Sequence, residues 1–402
     1  MIEQQQQLNI LQYNVRKAKD TVMATLLRDP RVAEYDVLAI QEPWKNPFMS
    51  TTHHPAKDIF HLCYPNVDES EGPARVCFFV NKRLDNSAWQ FEQHTRDLCT
   101  LKIRTGGPDT SDNELIIHNV YNAPQNTTDR ESSLPVLKAQ LEEHAPREQI
   151  ALGDFNLHHR FWGGPRVRHE EQEAKDLLEM MENLDMTSML APGTITYEEG
   201  DGTSTIDLCW TTLGMVDRTI RSTVNRDMDH DSDHLPINIL LDIRTNLMDV
   251  KPKRPWKRLN TEKFCESLKH HLPPRKRPRT PAALDNYIRE LVAAINQAAD
   301  EVLPLRKHSP KAREGWDDTC TEALAETKRL RRIYTRRPTT ATWELYHEAR
   351  NRKTRVIRKA LRQAHRDRIE VAAGSAESLW RIAKWARNRE SQPPSVTPTI
   401  KC

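Results

Sequence analysis

The stretch QIALGDFNLHHRFWGG, residues 149–164, runs from one kind of pattern into another. Ile150 to Leu152 form a short apolar run of strand character, which stops at a glycine, an aspartate and an asparagine. An aspartate after a strand is more often a turn former than a reactive group, so GDFN alone decides nothing. Its weight comes from recurrence. Asn14 follows an apolar run in LQYNVR, Glu42 in AIQEPW and Tyr121 in HNVYNAP. Asp207 opens one in STIDL, and Asp233 and His234 precede LPINILLDI in DHDSDHLPI, residues 229–237. Six strand-like runs thus carry polar residues at their ends.

Working outward, strand candidates lie at 8–13, 36–41, 75–81, 98–103, 114–121, 149–154, 205–212 and 235–243. They are rich in Val, Ile, Leu and aromatic residues and bounded by turn formers. Helix candidates lie near 20–29, 131–144 and 169–184, and in the last Ala174, Leu177, Leu178, Met181 and Leu184 form an amphipathic stripe. Many strands with few helices between them predict an α/β fold with two packed sheets flanked by helices, rather than one doubly wound sheet. From about residue 246 the character changes. KPKRPWKR (251–258) and RKRPR (275–279) are basic and proline-containing, and proline blocks helix continuation. Beyond and between them the pattern predicts helices at 261–271, 282–302, 317–335, 340–373 and 376–388, before an extended tail. The expected organisation is an α/β domain over 1–245, a Pro/basic linker with a short helix over 246–281, an all-α basic connector over 282–390 and a tail over 391–402.

Charge follows the same division. Residues 1–250 carry 24 Lys and Arg against 40 Asp and Glu, and residues 251–402 carry 36 against 17. An acidic half joined to a basic half suits a part that handles cations and a part that meets polyanions, although long exposed helices are often arginine-rich without a partner. Seven scattered cysteines with no CxxC pair speak against a disulfide framework or a zinc ribbon, and for a reducing compartment. The polar N-terminus MIEQQQQLNI has no secretory core, and no apolar run approaches the length that spans a membrane. The expected location is therefore the nucleus, or the cytoplasm before import, with the basic runs as import signals or nucleic-acid contacts.

The polar set suits phosphodiester hydrolysis. That reaction needs a hard cation on the phosphate oxygens, and Mg²⁺ takes carboxylates, neutral oxygens and water. Glu42 supplies a carboxylate and Asn14 a neutral oxygen, with Mn²⁺ as the substitute ion. Asp154 is placed to orient a water and Asn156 to donate to phosphate. His234 can move a proton or stabilise charge, provided a partner fixes its tautomer, and Asp207 is that candidate.

Asn14, Glu42, Tyr121, GDFN, SxID and SDH, in this order, resemble the endonuclease/exonuclease/phosphatase superfamily, over about residues 8–243. The resemblance implies a four-layer α/β sandwich. It makes Glu42 the metal ligand with Asn14 beside it, Asp233 a residue near the metal, and Tyr121 a contact to the scissile phosphate. Asp154, Asn156, His234 and Asp207 keep the roles above, and Thr196 and Ser204 fall where relatives bind phosphate or hold the catalytic aspartates. Arg16 stands where apurinic/apyrimidinic repair enzymes carry an acidic residue, which weakens a repair assignment. YNVRKA, NVYNAP, GDFNLHHRFWGG and TIDLCW are similar to the endonuclease domains of non-LTR retrotransposons. His158 and His159 belong to that loop variant, and a loop packed on Trp162 explains them without a metal; the pair His53 and His54 carries no functional reading.

The second half resembles the helical connector that precedes the reverse transcriptase in such polyproteins. No Tyr-x-Asp-Asp motif occurs, which implies a truncated or split reading frame. The expected activity is a Mg²⁺-dependent nick in double-stranded DNA leaving a 3′-hydroxyl. Arg16, Arg275, Lys276 and Arg277 are candidate nucleic-acid contacts, and the nine basic residues from Arg350 to Arg368 either hold DNA or element RNA or are a solvated face. Trp343, Tyr346, Trp380 and Trp385 read as packing residues rather than base-stacking platforms. Two alternatives stand: a superfamily phosphatase acting on another substrate, and a catalytically unused relic that binds nucleic acid.

Overall fold

The computed structural model describes residues 7–17, 22–27, 29–43, 56, 59–65, 72–105, 114–128, 130–199, 202–228, 231–245, 259–303, 315–337, 339–376 and 380. The runs 44–55 and 251–258, the residues Asp229 and His230, all but Ala376 and Trp380 of the helix expected at 376–388, Trp385 with it, and the tail lie outside them.

Contacts divide the chain into two units, residues 1–248 with 310–402, and residues 249–309. The first contains β1 (Leu8–Asn14), α1 (Ala24–Leu26), β2 (Val37–Gln41), β3 (Phe60–Cys63), β4 (Val76–Asn81), β5 (Trp89–Thr95), β6 (Leu98–Arg104), β7 (Glu114–Tyr121) and α2 (Leu134–His144). It continues with β8 (Glu148–Asp154), α3 (Arg160–Gly163), α4 (Gln172–Asn183), β9 (Met186–Ser188), β10 (Tyr197–Glu199), β11 (Gly202–Ser204), β12 (Asp207–Thr212), β13 (Thr219–Val224) and β14 (Ile237–Leu241). In the second unit α5 (Thr261–His271) and α6 (Pro281–Val302) are capped by Asn260 and Thr280, whose side chains accept backbone N–H groups of the first turn. His271 of α5 pairs with Glu301 of α6 at 2.9 Å. The helices α7 (Asp318–Arg336) and α8 (Thr340–Ala373) group with the first unit.

Two six-stranded mixed sheets make the first unit's frame, in the orders β13-β14-β1-β2-β4-β3 and β5-β6-β7-β8-β12-β9. Strands β1 and β2 pair in parallel, as do β7 and β8, and the other pairs are antiparallel. Strand periodicity assigns each residue to a face. In β1, Leu8 and Ile10 enter the core between the sheets, with Val37 and Ala39 of β2, Ile150 and Leu152 of β8, and Ile237 and Ile239 of β14. Their neighbours Leu11, Tyr13, Leu38 and Ile40 face outward, onto Val22, Met23 and Leu26. On the opposite side Ala151, Leu208 and Trp210 pack on Leu137 and Leu141 of α2 and Leu177 and Met181 of α4. Helix, sheet, sheet and helix give four layers, the α/β sandwich the pattern predicts. Each fully buried Leu or Ile contributes about 1.5–3 kcal/mol, so the central strands hold the frame.

Of the helix expected over 20–29, the described residues 22–26 are helical, and a 3-10 turn follows at Pro30–Glu34. Asp29 bonds the N–H of Arg31, and Pro30 lacks the N–H that would continue an α-helix. Gly153, in LGDFN, has φ +149 and a Cβ there would stand 1.9 Å from the Val120 carbonyl oxygen, so glycine lets β7 and β8 meet beside the site. Among the described residues no helix is long and apolar enough to cross a membrane.

Candidate active site

The inward face of the sandwich changes character at one end. Along β1 the inward positions run Leu8, Ile10, Gln12, Asn14, and along β2 they run Val37, Ala39, Gln41. In β8 they run Ile150, Leu152, Asp154, and in β7 Leu115, Ile117, Asn119, Tyr121. The apolar core thus opens into polar groups where the strands end. Register aligns them. Tyr121 lies opposite Asp154, and Asp154 opposite Asp207. Asn14 lies opposite Gln41, which puts Glu42 one residue beyond. The two sheets are stitched here: Gln12 Nε2 donates to the Gly153 carbonyl at 2.9 Å and Asn14 Nδ2 to Asp154 Oδ2 at 2.8 Å.

His234 stands just before β14, 7% exposed, between two carboxylates. Its Nδ1 lies 2.8 Å from Asp207 Oδ2, and its Nε2 faces Asp154 Oδ2 at 3.9 Å. The first is a hydrogen bond that orients the ring, and the second is too long to be one. Asp207 is held in turn by Thr196, whose Oγ1 accepts the N–H groups of Ile206 and Asp207 at 3.1 and 3.0 Å. The Tyr197 ring meets the imidazole edge-on at 4.9 Å.

Burial alone pushes the His234 pKa down, but the Asp207 and Asp154 charges and the Asp207 hydrogen bond outweigh it and raise it to about 10. Asp154 is raised to about 7: burial raises it, the His234 cation and the Asn14 hydrogen bond lower it, and the Asp207 and Glu42 carboxylates raise it again. Tyr121, raised by burial and by Glu42, stays protonated and donates to Glu42 Oε1 at 2.6 Å. Strain concentrates in the same place. Glu42, Asn156 and Arg16 are non-glycine residues at φ 46°, 50° and 49°, a conformation costing about 1–2 kcal/mol each. Asn156 is fixed there by its N–H to Asp154 Oδ1 at 3.2 Å and its Nδ2 to the Asn122 carbonyl at 2.9 Å.

Other residues singled out in the sequence have protein partners of their own. Asp233, expected near the metal, is paired by Arg16 Nη1 at 2.7 Å and accepts from Ser232 Oγ at 3.0 Å, so a protein cation compensates its charge. Arg16 is tied to Asp233 and Glu199, at 2.7 and 3.4 Å. Thr196, expected to bind phosphate or to hold the catalytic aspartates, is 0% exposed, and its hydroxyl oxygen accepts the Asp207 N–H. Ser204 is half-buried and gives its carbonyl to the Thr196 N–H at 3.0 Å. His158 pairs with Glu171 at 3.0 Å and His159 packs on Trp162 at 5.2 Å, a loop closed on itself. Lys276 pairs with Glu290 at 2.9 Å, in the unit that also carries the exposed Arg275 and Arg277. Tyr197, Asn122 and Ser232 are site-shaping residues the sequence did not single out. Their types are ordinary, and only contacts made in the fold mark them.

Oxygen donors suited to a hard divalent ion are present. Glu42 gives a half-exposed carboxylate and Asn14 an amide oxygen with one lone pair spent on the Arg16 N–H at 2.9 Å. Asp154, Asp207 and His234 also bring ligand atoms within 4.8 Å of one another, with one His234 nitrogen spent on Asp207.

Residues 115–238 match the model of a family described as endonuclease-reverse transcriptase, and over that segment the resemblance read from the motifs is borne out. Among solved structures the chain is similar to the endonuclease domain of TRAS1, a telomere-specific non-LTR retrotransposon, at 17% identity and TM-score 0.45, covering 59% of this chain and 98% of that one. It is also similar to the catalytic domain of Xenopus laevis APE2, at 12% identity and TM-score 0.46, covering 60% and 94%. A third is the AP endonuclease LMAP from Leishmania major, at 13% identity and TM-score 0.43, covering 58% and 87%. No curated protein sequence matches the chain.

Proposed function

We propose that the sandwich is a Mg²⁺-dependent endonuclease that hydrolyses one DNA phosphodiester and leaves a 3′-hydroxyl. The observation that carries this reading is the line Asp207–His234–Asp154, facing Glu42 and Asn14 across the two sheet ends. Bound at Glu42 and Asn14, a Mg²⁺ ion would supply neutralisation of phosphate charge, and Mn²⁺ would substitute. The chain's own residues do the rest. Asp154, anchored by Asn14 and by the N–H of Asn156, takes the proton of the attacking water. His234, cationic and held by Asp207, presents Nε2 to a non-bridging oxygen and stabilises the charge that builds there. The Tyr121 hydroxyl, donating to Glu42 Oε1, fixes the carboxylate that would hold the ion.

Two cavities of about 310 and 250 Å³, lined by residues such as Glu114 and Arg218, and His158 and Arg166, are not lined by Glu42, Asp154 or His234. In this reading the protein acts in the nucleus on double-stranded DNA, as at target-site cleavage by a non-LTR retrotransposon.

Purified protein in Mg²⁺ converts supercoiled plasmid to open circles, excess EDTA stops it, and polymerase extends the nicks without prior phosphatase treatment. Supercoiled DNA left intact by folded protein in Mg²⁺ or Mn²⁺ overturns the proposal.

The pH profile follows from the two raised pKa values. Asp154 acts as a base only when ionised, so the rate is lost as pH falls through about 7. His234 acts as a cation, so the rate is lost as pH rises through about 10. Initial nicking rates at limiting plasmid check this, since that regime reports the free enzyme's groups. A rate that falls steadily from mildly acid to neutral pH contradicts the assignment of Asp154.

A further inference from the structure

Arg350 to Arg368 place nine basic residues on α8, and the sequence gives no reason to separate one from another. The fold does. Arg352, Arg355, Arg358, Lys359 and Arg362 are exposed or half-exposed, whereas Lys353 is 1% exposed. Its ammonium pairs with the Asp231 carboxylate, and the two side chains are 2% and 3% exposed. A lysine buried at mid-helix is costly unless paired, and truncating one partner strands a buried charge.

Asp231 lies three residues before His234 and belongs to the loop that carries it. Thr25 Oγ1 donates to its second carboxylate oxygen at 3.2 Å, and Arg350 of α8 donates to its carbonyl at 3.1 Å. Arg331 of α7 donates to the Met228 carbonyl at 3.0 Å, on the other side of residues 229 and 230. The N–H groups of Asp231 and Ser232 both point at the Tyr13 hydroxyl, at 3.3 and 3.2 Å, and Tyr13 is the β1 residue before Asn14. Ser232 Oγ then accepts the His234 N–H at 3.3 Å. An unbroken series of bonds thus runs from Lys353 through Asp231 and Ser232 to the backbone of the catalytic histidine. The helices are firmly built to bear it: Tyr334 of α7 packs on Trp343 and Tyr346 of α8 at 5.3 and 6.1 Å, the packing role expected of these aromatics.

From this we infer that Lys353 is a positioning residue for the nuclease reaction, and that α7–α8 completes the active site rather than serving only as a connector. Asp231 is the anchor through which Lys353 sets the 231–234 loop. The inference rests on the nuclease reading above. A displacement of about 1 Å at a catalytic group costs up to 10²-fold, while contacts that bind DNA elsewhere are untouched.

The test uses the full chain and plasmid nicking in Mg²⁺, well below the unfolding temperature of each variant. Lys353→Met is expected to lower kcat by about 10- to 100-fold with KM within about 3-fold, and Lys353→Arg, which keeps the cation, to recover most of it. A folded Lys353→Met with wild-type kcat, or with its loss in KM instead, overturns the inference. If Lys353→Met does not fold, the variant carrying both Lys353→Met and Asp231→Leu has no stranded charge, and the same two outcomes decide. Wild-type protein run alongside separates the failures: if it does not nick, the nuclease reading itself fails, and if it nicks while the variants match it, only the role of Lys353 does.

Discussion

His234→Ala is expected to lower the nicking rate by about 10²–10⁴-fold, the usual worth of one positioned acid–base group. The geometry adds a second consequence. His234 is the cation between Asp154 and Asp207, whose side chains are nearly fully buried. Its removal leaves two like charges facing each other in low dielectric, and one responds by holding its proton more tightly. Asp154 is already raised, with His234 the leading influence that lowers it, so in the variant it rises further. A carboxyl whose folded pKa lies above its unfolded value takes up protons on folding, and stability is lost as pH rises from the ordinary carboxylate range through the raised value. The variant should therefore show two changes together, a collapse of kcat and a melting temperature that falls more steeply than the parent's between about pH 5 and 8. Nicking assays and thermal melts at matched pH measure both. A variant that nicks within about 3-fold of the parent removes His234 from the chemistry.

How much of this was legible before the fold depends on what burial did to each segment. Strand β1 reads plainly because it is covered on both faces, so Leu8, Ile10, Leu11 and Tyr13 carry it up to Asn14. Strands β5 and β13 lie at sheet edges, and WQFEQHT and TIRSTV alternate with exposed polar residues that look like loop. The hairpin β10–β11 has three-residue strands, too short for any periodicity. For the site, the decisive regularity was the switch from apolar to polar along one parity of β1, β2, β7 and β8, which sequence carries in full. Pairings between distant segments are not carried that way. Arg16 meets Asp233, Tyr197 meets His234 and Lys353 meets Asp231 because layers fold over one another, and nothing local to either partner announces it.

Asp207→Asn asks a sharper question than loss of the histidine, because it changes charge while nearly preserving shape. The residue opens β12, with its N–H and that of Ile206 fixed on Thr196 Oγ1, so an amide there inherits the same backbone position. It forfeits the charge that, after burial, acts most strongly on His234 to keep it protonated. In the serine-protease triad the equivalent change costs about 10⁴-fold by leaving the wrong tautomer. A loss of about 10²–10⁴-fold is expected here, with the alkaline limb of the pH profile moved toward neutrality because the imidazolium loses its proton earlier. Groups that act as one unit are not additive. Asp207→Asn combined with His234→Ala should therefore nick no more slowly than His234→Ala alone, since an orienting carboxylate has nothing left to orient. If the two losses multiply instead, Asp207 contributes through its own charge at the phosphate or at a metal, and the line Asp207–His234–Asp154 divides into separate functions. Single-turnover nicking rates of the two single variants and the double variant distinguish these outcomes, because they report the chemical step apart from product release.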